Sequence, residues 1–413
     1  MSDRISIKEL LESVEVEWKL LGDVANVTIG EFVHQNKQNP SAKYPVYNGG
    51  IKPTGYYDKY NNTGNKIIVS ARGANAGYVN KMLEPYWAGN SCYSIGVKDE
   101  TQLNWKFIFY FLKSHESKII GSQQGGGGIP AISKKQMESF LIPIPYPNDS
   151  DKSLEIQSEI VRILDNFTEL TAELTAELTA ELTARKKQYS YYRDKLLTFE
   201  DGEVQFKPLG EIGELVRGNG LPKSDFTETG VPAIHYGQIY TYYGTSTTET
   251  KSFVSPETAK KLRKVNKGDV IITNTSENLE DVGKALSYLG ELEAVTGGHA
   301  TIFKPSNQIL GKYFTYYTQT SMFFSQKMKY AKGAKVIDVS ATDLAKFQIP
   351  IPFPNAPDKS LAEQMRIVNI LDKFDTLTNS ISEGLPKEIE LRTKQYEYYR
   401  DLLLTFPKKE VEA

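Results

Sequence analysis

The chain has 413 residues, a single cysteine and a formal net charge of -2. Its length exceeds what one hydrophobic core usually organises, so the sequence predicts two or more globular units. No run of about eighteen uncharged apolar residues occurs, and no basic stretch precedes an apolar one near the N terminus, which argues against a membrane span and a signal peptide.

The charge is distributed unevenly along the chain. Lys and Arg outnumber Asp and Glu by 14 to 9 in residues 17–141 and by 17 to 14 in residues 205–348, whereas residues 142–204 carry 7 basic and 13 acidic side chains. Two large segments therefore carry +5 and +3 and are suited to face phosphate, while the segment between them carries -6. The lone Cys92 cannot form an internal disulfide, and we expect a cytoplasmic protein.

The first positive segment predicts a mixed α+β unit. Residues 66–71 have the pattern of a buried strand followed by the Gly-bearing turn 72–77, residues 92–97 that of a further strand, and residues 105–112 that of a helix. The loop 121–130 contains four consecutive glycines, which allow the backbone to approach a phosphate or a groove wall. Taken alone, the glycine run favours an ordinary mobile surface loop over a binding loop.

Residues 154–199 predict one long helix. Apolar side chains recur every three or four residues from Ile160 to Phe199, a Pro-rich stretch precedes them, and Ser153 is a candidate N-cap. At about 1.5 Å per residue the helix would be about 70 Å long, and such a length requires a helical partner. Its centre repeats the tetrad Thr-Ala-Glu-Leu, and each added tetrad would lengthen it by about 6 Å. The tetrads are then either a plain solvated spacer or a ruler between two flanking units.

The second positive segment repeats the α+β scheme. Residues 268–274 and 295–303 predict strands, residues 275–278 a polar turn, and residues 313–317 a helix. The Tyr-rich stretch 235–243 is either a polar and aromatic binding cluster or an ordinarily packed strand or hairpin.

The chain also repeats itself at a fixed offset of 207 residues. Residues 142–167 match 349–374, and residues 185–199 match 392–406, without a gap. A shorter repeat, 16–30 against 204–218, precedes each variable segment. The second helical copy, 361–406, is the natural antiparallel partner of the first, and its Gly384-Leu385-Pro386 predicts a break that the first copy lacks.

Catalytic motifs are missing from the sequence. There is no phosphate-binding Gly-x-x-x-x-Gly-Lys-Ser/Thr loop and no Pro-Pro pair, which excludes an Asn-Pro-Pro-aromatic motif of adenine methylation. One cysteine and four scattered histidines offer no metal-ligand spacing, so we expect neither a metal nor another cofactor on this chain. The sequence favours a binding protein over an enzyme.

The candidate DNA contacts are chosen by residue type, because cationic side chains hold phosphates and polar side chains reach base edges. In the first unit they are Arg72, Asn75, Lys81, Gln123, Gln124, Gly126, Lys134 and Lys135. In the second unit they are Asn219, Lys223, Tyr236, Gln238, Tyr242, Ser276, Asn278, His299, Lys332 and Lys335. A histidine that follows two glycines, as His299 does, is more often a satisfied turn residue than a base contact. The candidate contacts between helices are Leu170, Leu174, Leu178, Leu182, Tyr189, Tyr192, Tyr396 and Tyr399.

Two unlike segments separated by near-identical helices, the shared pattern PIP.P....KSL..Q..IV.ILD.F, the helix ends KQY.YYRD.LL.F and the TAEL tetrads resemble the specificity (S) subunit of type I restriction-modification enzymes, in the subclass with TAEL repeats. The resemblance covers nearly the whole chain. It implies two target-recognition domains, residues 1–145 and 204–352, and two spacer helices, residues 146–203 and 353–413, that form an antiparallel coiled coil with pseudo-twofold symmetry.

The resemblance further implies a non-catalytic subunit that binds a bipartite, asymmetric site on double-stranded DNA, with the helices setting the gap. Its partners would be two methylation (M) subunits, which carry S-adenosylmethionine and modify adenines, and restriction (R) subunits, which use ATP and magnesium to cleave. The recognition domains vary within this family, so no base contact transfers residue by residue.

Two other functions compete with this one. A structural scaffold whose globular units bind proteins is disfavoured by the positive charge of both units and by their dissimilarity. A self-sufficient enzyme is disfavoured by the missing motifs. Neighbouring reading frames for an Asn-Pro-Pro-Phe-type methylase and a helicase-nuclease would discriminate among the three.

Overall fold

The computed structural model describes residues 14–122, 129–199, 202, 204–379 and 383–406. The chain forms two compact units. Unit 1 consists of Met1–Thr175 and Leu391–Ala413, and unit 2 of Ala176–Glu390. Each unit combines a globular α+β part with segments of long helix, so the boundaries between the units fall inside helices.

The globular part of unit 1 consists of short strands and helices. Its strands are β1 (Val16–Leu20), β2 (Ala25–Ile29), β3 (Tyr44–Tyr47), β4 (Gly55–Tyr57), β5 (Lys66–Ser70), β6 (Val79–Met82), β7 (Trp87–Ala88), β8 (Cys92–Val97) and β9 (Leu141–Pro145). Its helices are α1 (Leu21–Val24), α2 (Trp105–Ser114), α3 (Glu116–Gly121) and α4 (Lys134–Glu138). The strands form an antiparallel sheet of order β2-β8-β5-β6, a smaller sheet β4-β3-β7 and the pair β1-β9. The strands predicted at 66–71 and 92–97 and the helix at 105–112 are confirmed.

The long helix is continuous. Helix α5 (Ser150–Leu196) contains 47 residues without a break and includes all the tetrads. Its start differs from the prediction, because Ser153 is buried inside the helix and its hydroxyl accepts a hydrogen bond from the Gln157 amide. The side chain of Asp149 accepts from Lys152 N instead (3.0 Å) and caps the first turn.

Unit 2 contains a larger globular part. Its strands are β10 (Val204–Pro208), β11 (Gly213–Arg217), β12 (Phe226–Thr227), β13 (Val231–Ile234), β14 (Ser246–Thr247), β15 (Ser252–Val254), β16 (Arg263–Val265), β17 (Val270–Thr273), β18 (Thr275–Ser276), β19 (Ala285–Tyr288), β20 (Ala294–Thr296), β21 (Ala300–Pro305), β22 (Ile337–Asp338) and β23 (Gln348–Pro352). Its short helices are α6 (Tyr236–Thr241), α7 (Pro256–Lys261), α8 (Gly311–Tyr317), α9 (Ser321–Tyr330) and α10 (Ala341–Leu344).

These strands form two mixed sheets of order β11-β21-β17-β19-β14 and β12-β15-β13-β20-β16, with the pairs β10-β23 and β18-β22. The strand predicted at 268–274 and the helix at 313–317 are confirmed, whereas 295–303 contains two strands separated by a turn. The alternative of a Tyr-rich strand at 235–243 is wrong, because His235 and Gln238 form a capping box that starts α6.

The second helical copy is interrupted as predicted. Helix α11 (Pro357–Asn379) and helix α12 (Gly384–Leu403) are separate. Gly384 has a φ of +76°, and a Cβ at this position would lie 2.5 Å from the carbonyl oxygen of Thr376. Pro386 has no backbone N–H and would therefore break a helix interior. In the first turn of a helix the N–H groups have no intrahelical partner, so a proline is tolerated there and α12 can begin at this point.

Each core joins sheet, short helix and long helix. In unit 1, Val69 of β5, Phe107 of α2 and Leu164 of α5 belong to one buried cluster, to which Leu403 and Phe406 contribute from the C-terminal end. The corresponding cluster of unit 2 joins β17, α8, α11 and the end of α5, with members that include Ile272, Phe314, Leu371 and Tyr189. Burial of such side chains stabilises each unit and holds the helices against it.

The same strand pair leads into each long helix. In unit 1, β1 and β9 pair antiparallel with Val16 opposite Pro145, and in unit 2, β10 and β23 pair with Val204 opposite Pro352. The residue after each pair, Tyr146 or Phe353, adopts a positive φ of 47° or 46°, which turns the chain toward the helix.

Candidate nucleic-acid interface

In unit 1 two segments come together at the end of β5 and form what we call the unit 1 surface, the turn 71–77 and residues 130–135. Gly73 N donates to Pro130 O (2.9 Å), and Arg72 forms an antiparallel bridge with Ala131. Ser133 caps α4, so Lys134 and Lys135 lie exposed in its first turn. The exposed Arg72 and these lysines therefore lie on two segments that hydrogen bond to each other.

Two other predicted residues of unit 1 have different surroundings. Asn75 is half-buried within the turn, and its carbonyl accepts from Tyr78 N. Lys81 lies on β6, where its Nζ is 3.7 Å from a carboxylate oxygen of Asp165 on α5. The remaining predicted residues, Gln123, Gln124 and Gly126, lie outside the described residues.

The unit 2 surface comprises residues 217–223, Tyr236, and the segments 275–278, 297–299 and 332–338. An aromatic contact forms its centre, with the rings of Tyr236 and His299 4.8 Å apart. His299 is exposed, and its Nδ1 lies 3.0 Å from the hydroxyl of Thr275. The exposed edge of the His299 ring and its second ring nitrogen can therefore hydrogen bond to a partner.

Backbone contacts hold these segments together. Asn219 bridges to Gly297, β18 pairs with β22 so that Ser276 lies opposite Ile337, and Lys332 bridges to Asp338. Sequence positions more than a hundred residues apart therefore share one surface.

Cationic side chains border the unit 2 surface. Lys223, Lys332 and Lys335 are exposed. Sequence reasoning missed Arg217, whose Nε donates to Gly298 O (3.3 Å) and whose guanidinium lies 3.9 Å from Asp338. Arg217 is the second-to-last residue of the short repeat 204–218, and a cation at this position is the sequence feature that could have identified it.

Two predicted residues of unit 2 use their polar groups in hydrogen bonds inside the unit. The Gln238 amide donates to Ser252 Oγ (2.5 Å) and accepts from His235 N, and Asn278 binds Asp281 at both ends of its amide. The hydrogen bonds of Gln238 and Asn278 therefore contribute to the folding of the unit. Tyr242 is exposed and lines a cavity next to α6, where Lys251 Nζ lies 4.5 Å from its ring centroid.

Burial and nearby charges shift the pKa of two groups beside this surface. Burial and the positive charge of Lys223 lower the pKa of His235, whose Nδ1 accepts from Gly237 N (3.2 Å). Hydrogen bonds from Lys346, Ser340 and Lys332 lower the pKa of Asp343 to about 2. Lys332 is 77% exposed despite its 3.2 Å ion pair with Asp343, so it remains accessible to a phosphate.

The predicted helix contacts fall within the units. In unit 1 the ring of Tyr399 stacks on Phe167, 5.7 Å between centroids, and Tyr396 OH lies 3.1 Å from Thr168 Oγ1. In unit 2 the ring of Tyr192 stacks on Phe374 at 5.7 Å, and Tyr189 packs against the same phenylalanine.

The tetrad leucines have mixed exposure. Leu174, Leu178 and Leu182 are half-buried, and Leu170 is exposed.

Over the residues that the structure describes, no three His, Cys, Asp or Glu side chains are grouped to hold a metal ion. In the same part of the chain no helix is long and apolar enough to cross a membrane. What the exposed surfaces offer is hydrogen bonding, cationic charge and aromatic stacking.

The chain thus contains two α+β units, each with exposed cationic side chains. The model of the type I restriction modification DNA specificity domain matches the chain twice, over residues 13–184 and 201–391. The chain therefore belongs to the family of type I restriction-modification DNA specificity proteins.

Individual relatives agree with the family match. The chain is 35% identical to the EcoR124I/EcoR124II specificity subunit of Escherichia coli, covering 99% of both chains. It is 30% identical to the EcoprrI specificity subunit of Escherichia coli, covering 93% of both chains. Its fold resembles that of a chain in a structure of a type I restriction-modification system solved to study complex assembly and conformational transition, with a TM-score of 0.64, 16% identity, and 95% and 98% of the two chains covered.

Proposed function

We propose that this chain is the DNA sequence-recognition subunit of a type I restriction-modification complex and that it binds a bipartite, asymmetric target, each unit reading one half-site. The observation that carries the proposal is the repetition of a common framework with unlike exposed surfaces. The unit 1 surface presents Arg72 and lysines, whereas the unit 2 surface presents a His-Tyr centre bordered by cations. Different side chains read different base edges, so unlike surfaces favour an asymmetric target.

The chain itself contributes no catalysis in this proposal. Two M subunits carrying S-adenosylmethionine would methylate adenines in the target, and R subunits using ATP and magnesium would cleave unmethylated DNA. We infer that the subunit acts in the cytoplasm, where these partners and chromosomal DNA are present.

The helices would set the gap between the half-sites as an antiparallel coiled coil. Uninterrupted helix through the tetrads supports this role, because a rigid element keeps a fixed length. The stacked pairs of aromatic rings in each unit supply contacts between the two helical copies. In this proposal the predicted segments 1–145 and 204–352 are the target-recognition domains, and segments 146–203 and 353–413 are the spacer helices.

Deletion of one tetrad, residues 175–178, tests the proposal. Removing four residues shortens a helix by about 6 Å, so we expect the gap in the methylated target to shrink by one or two base pairs at about 3.4 Å each. The methylated adenines are mapped genome-wide in cells that express the chain with its partner subunits.

The control replaces residues 175–178 with four alanines, which preserves the helix length. This variant keeps the original gap if length is the cause. An unchanged gap in the deletion variant contradicts the ruler, and a change in the bases recognised at either half-site contradicts the separation of reading from spacing.

A further inference from the structure

Both long helices carry a buried glutamine that binds the backbone of the globular part. In unit 1, Gln157 is fully buried, accepts from Asn104 N (2.8 Å) and donates to Gln102 O (3.2 Å). Asn104 is the N-cap of α2. One side chain of α5 therefore fixes the residues that start α2.

An aspartate two turns further along α5 binds the side of α2. Asp165 accepts hydrogen bonds from Lys106 Nζ (2.6 Å) and from Tyr110 OH (2.6 Å). Burial alone would raise the pKa of the Asp165 carboxyl, but the hydrogen bonds from Lys106 and Tyr110 outweigh it, and the net pKa is lowered. We call Gln157 and Asp165, with these partners, the unit 1 clamp.

Unit 2 contains the same arrangement, the unit 2 clamp, between α11 and α8. Gln364 is fully buried, accepts from Leu310 N (2.9 Å) and donates to Gln308 O (2.9 Å). Asp372 accepts from Lys312 Nζ (2.8 Å) and Tyr316 OH (2.5 Å). Glutamine and aspartate recur at the same offset of 207 residues, although the globular parts differ in sequence.

Stability alone is a weak reason for the aspartate contacts. The Lys106–Asp165 side chains are each 31% exposed, and ion pairs at such positions contribute little to folding. Hydrogen bonds to a carboxylate are directional, however, and two donors on one helix fix both its distance and its rotation. The clamps are therefore suited to fix the angle between each globular part and its long helix.

We infer that Asp165 and Asp372 are positioning residues that hold each globular part at a fixed angle on its helix and thereby restrict the separation between half-sites. The inference rests on the proposed function. A tilt of about 10° acting over about 20 Å displaces a surface by about 3.5 Å, close to the rise of one base pair. Apolar packing, which is not directional, tolerates a tilt of this size better than a pair of charged hydrogen bonds does.

The first experiment measures the angle without DNA. Nitroxide spin labels are placed on the exposed positions Leu292→Cys and Met365→Cys, in a full chain with Cys92→Ser, and the distance distribution is recorded by pulsed electron resonance. Asp372→Asn and Tyr316→Phe should broaden the distribution, because loss of a hydrogen bond to a charged group makes tilted arrangements about tenfold more populated.

The matched control is Glu363→Gln. It removes one negative charge from the same helix, where Glu363 forms an ion pair with Arg366 (2.7 Å) and accepts no hydrogen bond from Lys312 or Tyr316. The control should keep the native distribution. Tyr316→Phe removes only the hydroxyl that donates to Asp372, and the conclusion is drawn from this variant if Asp372→Asn does not fold. A native distribution in the folded clamp variants overturns the inference.

The second experiment measures function in the complex with methylation subunits. Adenine methylation rates are compared on duplexes with the native gap and with a gap one base pair longer. In the clamp variants the preference for the native gap should fall about tenfold, whereas Glu363→Gln should keep it.

The two experiments separate the possible failures. Suppose the distance distributions of the clamp variants broaden. If the unmodified complex then shows no preference for the native gap, the proposed function is refuted and the clamp is not. If the variant complexes keep the full gap preference, the positioning role is overturned.

Discussion

Lys327 of α9 extends into a cavity of about 750 Å³ in unit 2 and is only 5% exposed. Its Nζ donates to Glu280 O (2.8 Å). Burial lowers the pKa of Lys327 to about 8, against the opposing charges of Asp281 and Glu280. The charged form is therefore disfavoured in the folded protein relative to the unfolded chain.

Stability should consequently rise with pH above neutrality. Between pH 8 and about 10.5 the unfolded chain binds more protons than the folded one at this position, so the free energy of unfolding increases with pH in that window. Lys327→Met removes this dependence and should stabilise unit 2 at pH 7 by roughly 2 kcal/mol, which combines the relief of the desolvation with the lost hydrogen bond. Urea denaturation of both proteins from pH 7 to 10 measures the difference, and equal pH slopes would contradict the assignment.

Substitutions at the two surfaces should affect different half-sites. Arg217→Ala and His299→Ala should each relax recognition in the half-site read by unit 2, by about 1–3 kcal/mol if the side chain contacts a base. Arg72→Ala should instead affect the half-site read by unit 1. Methylation mapping of each variant identifies the relaxed positions, and relaxation of both half-sites by one substitution would argue against independent reading.

Residue type alone does not tell which candidate side chains are exposed. Arg72, Lys223, His299, Lys332 and Lys335 are exposed, but Gln238 uses its amide within the unit. A polar side chain that is satisfied internally looks the same in a sequence as one that is free. Arg217 was missed because the backbone that it contacts lies about eighty positions away in the sequence.

At the scale of elements, periodicity located the long helices within a few residues because an apolar stripe persists over many turns. Two-residue strands such as β18 and β22 carry no periodic signal, and only their pairing across the fold defines them. The Gln and Asp of the clamps were visible as repeated polar positions in an otherwise apolar stripe, but their partners became apparent only from the structure.

The junction before α12 depends on the conformation of Gly384. We predict that Gly384→Ala destabilises unit 2 by about 1–3 kcal/mol, because φ of +76° is strained for alanine and the new Cβ would clash with Thr376 O. Gly244→Ala is the control, since a Cβ there has open space and φ is not positive. Thermal unfolding measures both, and equal melting temperatures would show that the junction rearranges without cost.

At the scale of the whole molecule, the acidic helical segment offsets the positive charge of the two variable segments. DNA binding by the free chain should be weak and should fall steeply with salt, with a slope of about -0.9 for each phosphate contacted. Lys332→Ala with Lys335→Ala should reduce that slope by about two. The control pair Lys264→Ala and Lys267→Ala removes the same charge outside the unit 2 surface and should leave it unchanged. Fluorescence anisotropy across a salt series measures the slopes, and equal slopes would exclude the two former lysines as phosphate contacts.

Unit 1 is built from two segments that are far apart in the sequence, which has a consequence for its folding during synthesis. Its core includes Leu403, Leu404 and Phe406, although its remaining members end in the first half of the chain. A ribosome delivers unit 2 as one continuous stretch, 176–390, before those last three apolar side chains have emerged. The unit that is translated first is thus completed after unit 2, and a nascent chain keeps part of its interior uncovered until residues 403–406 have emerged.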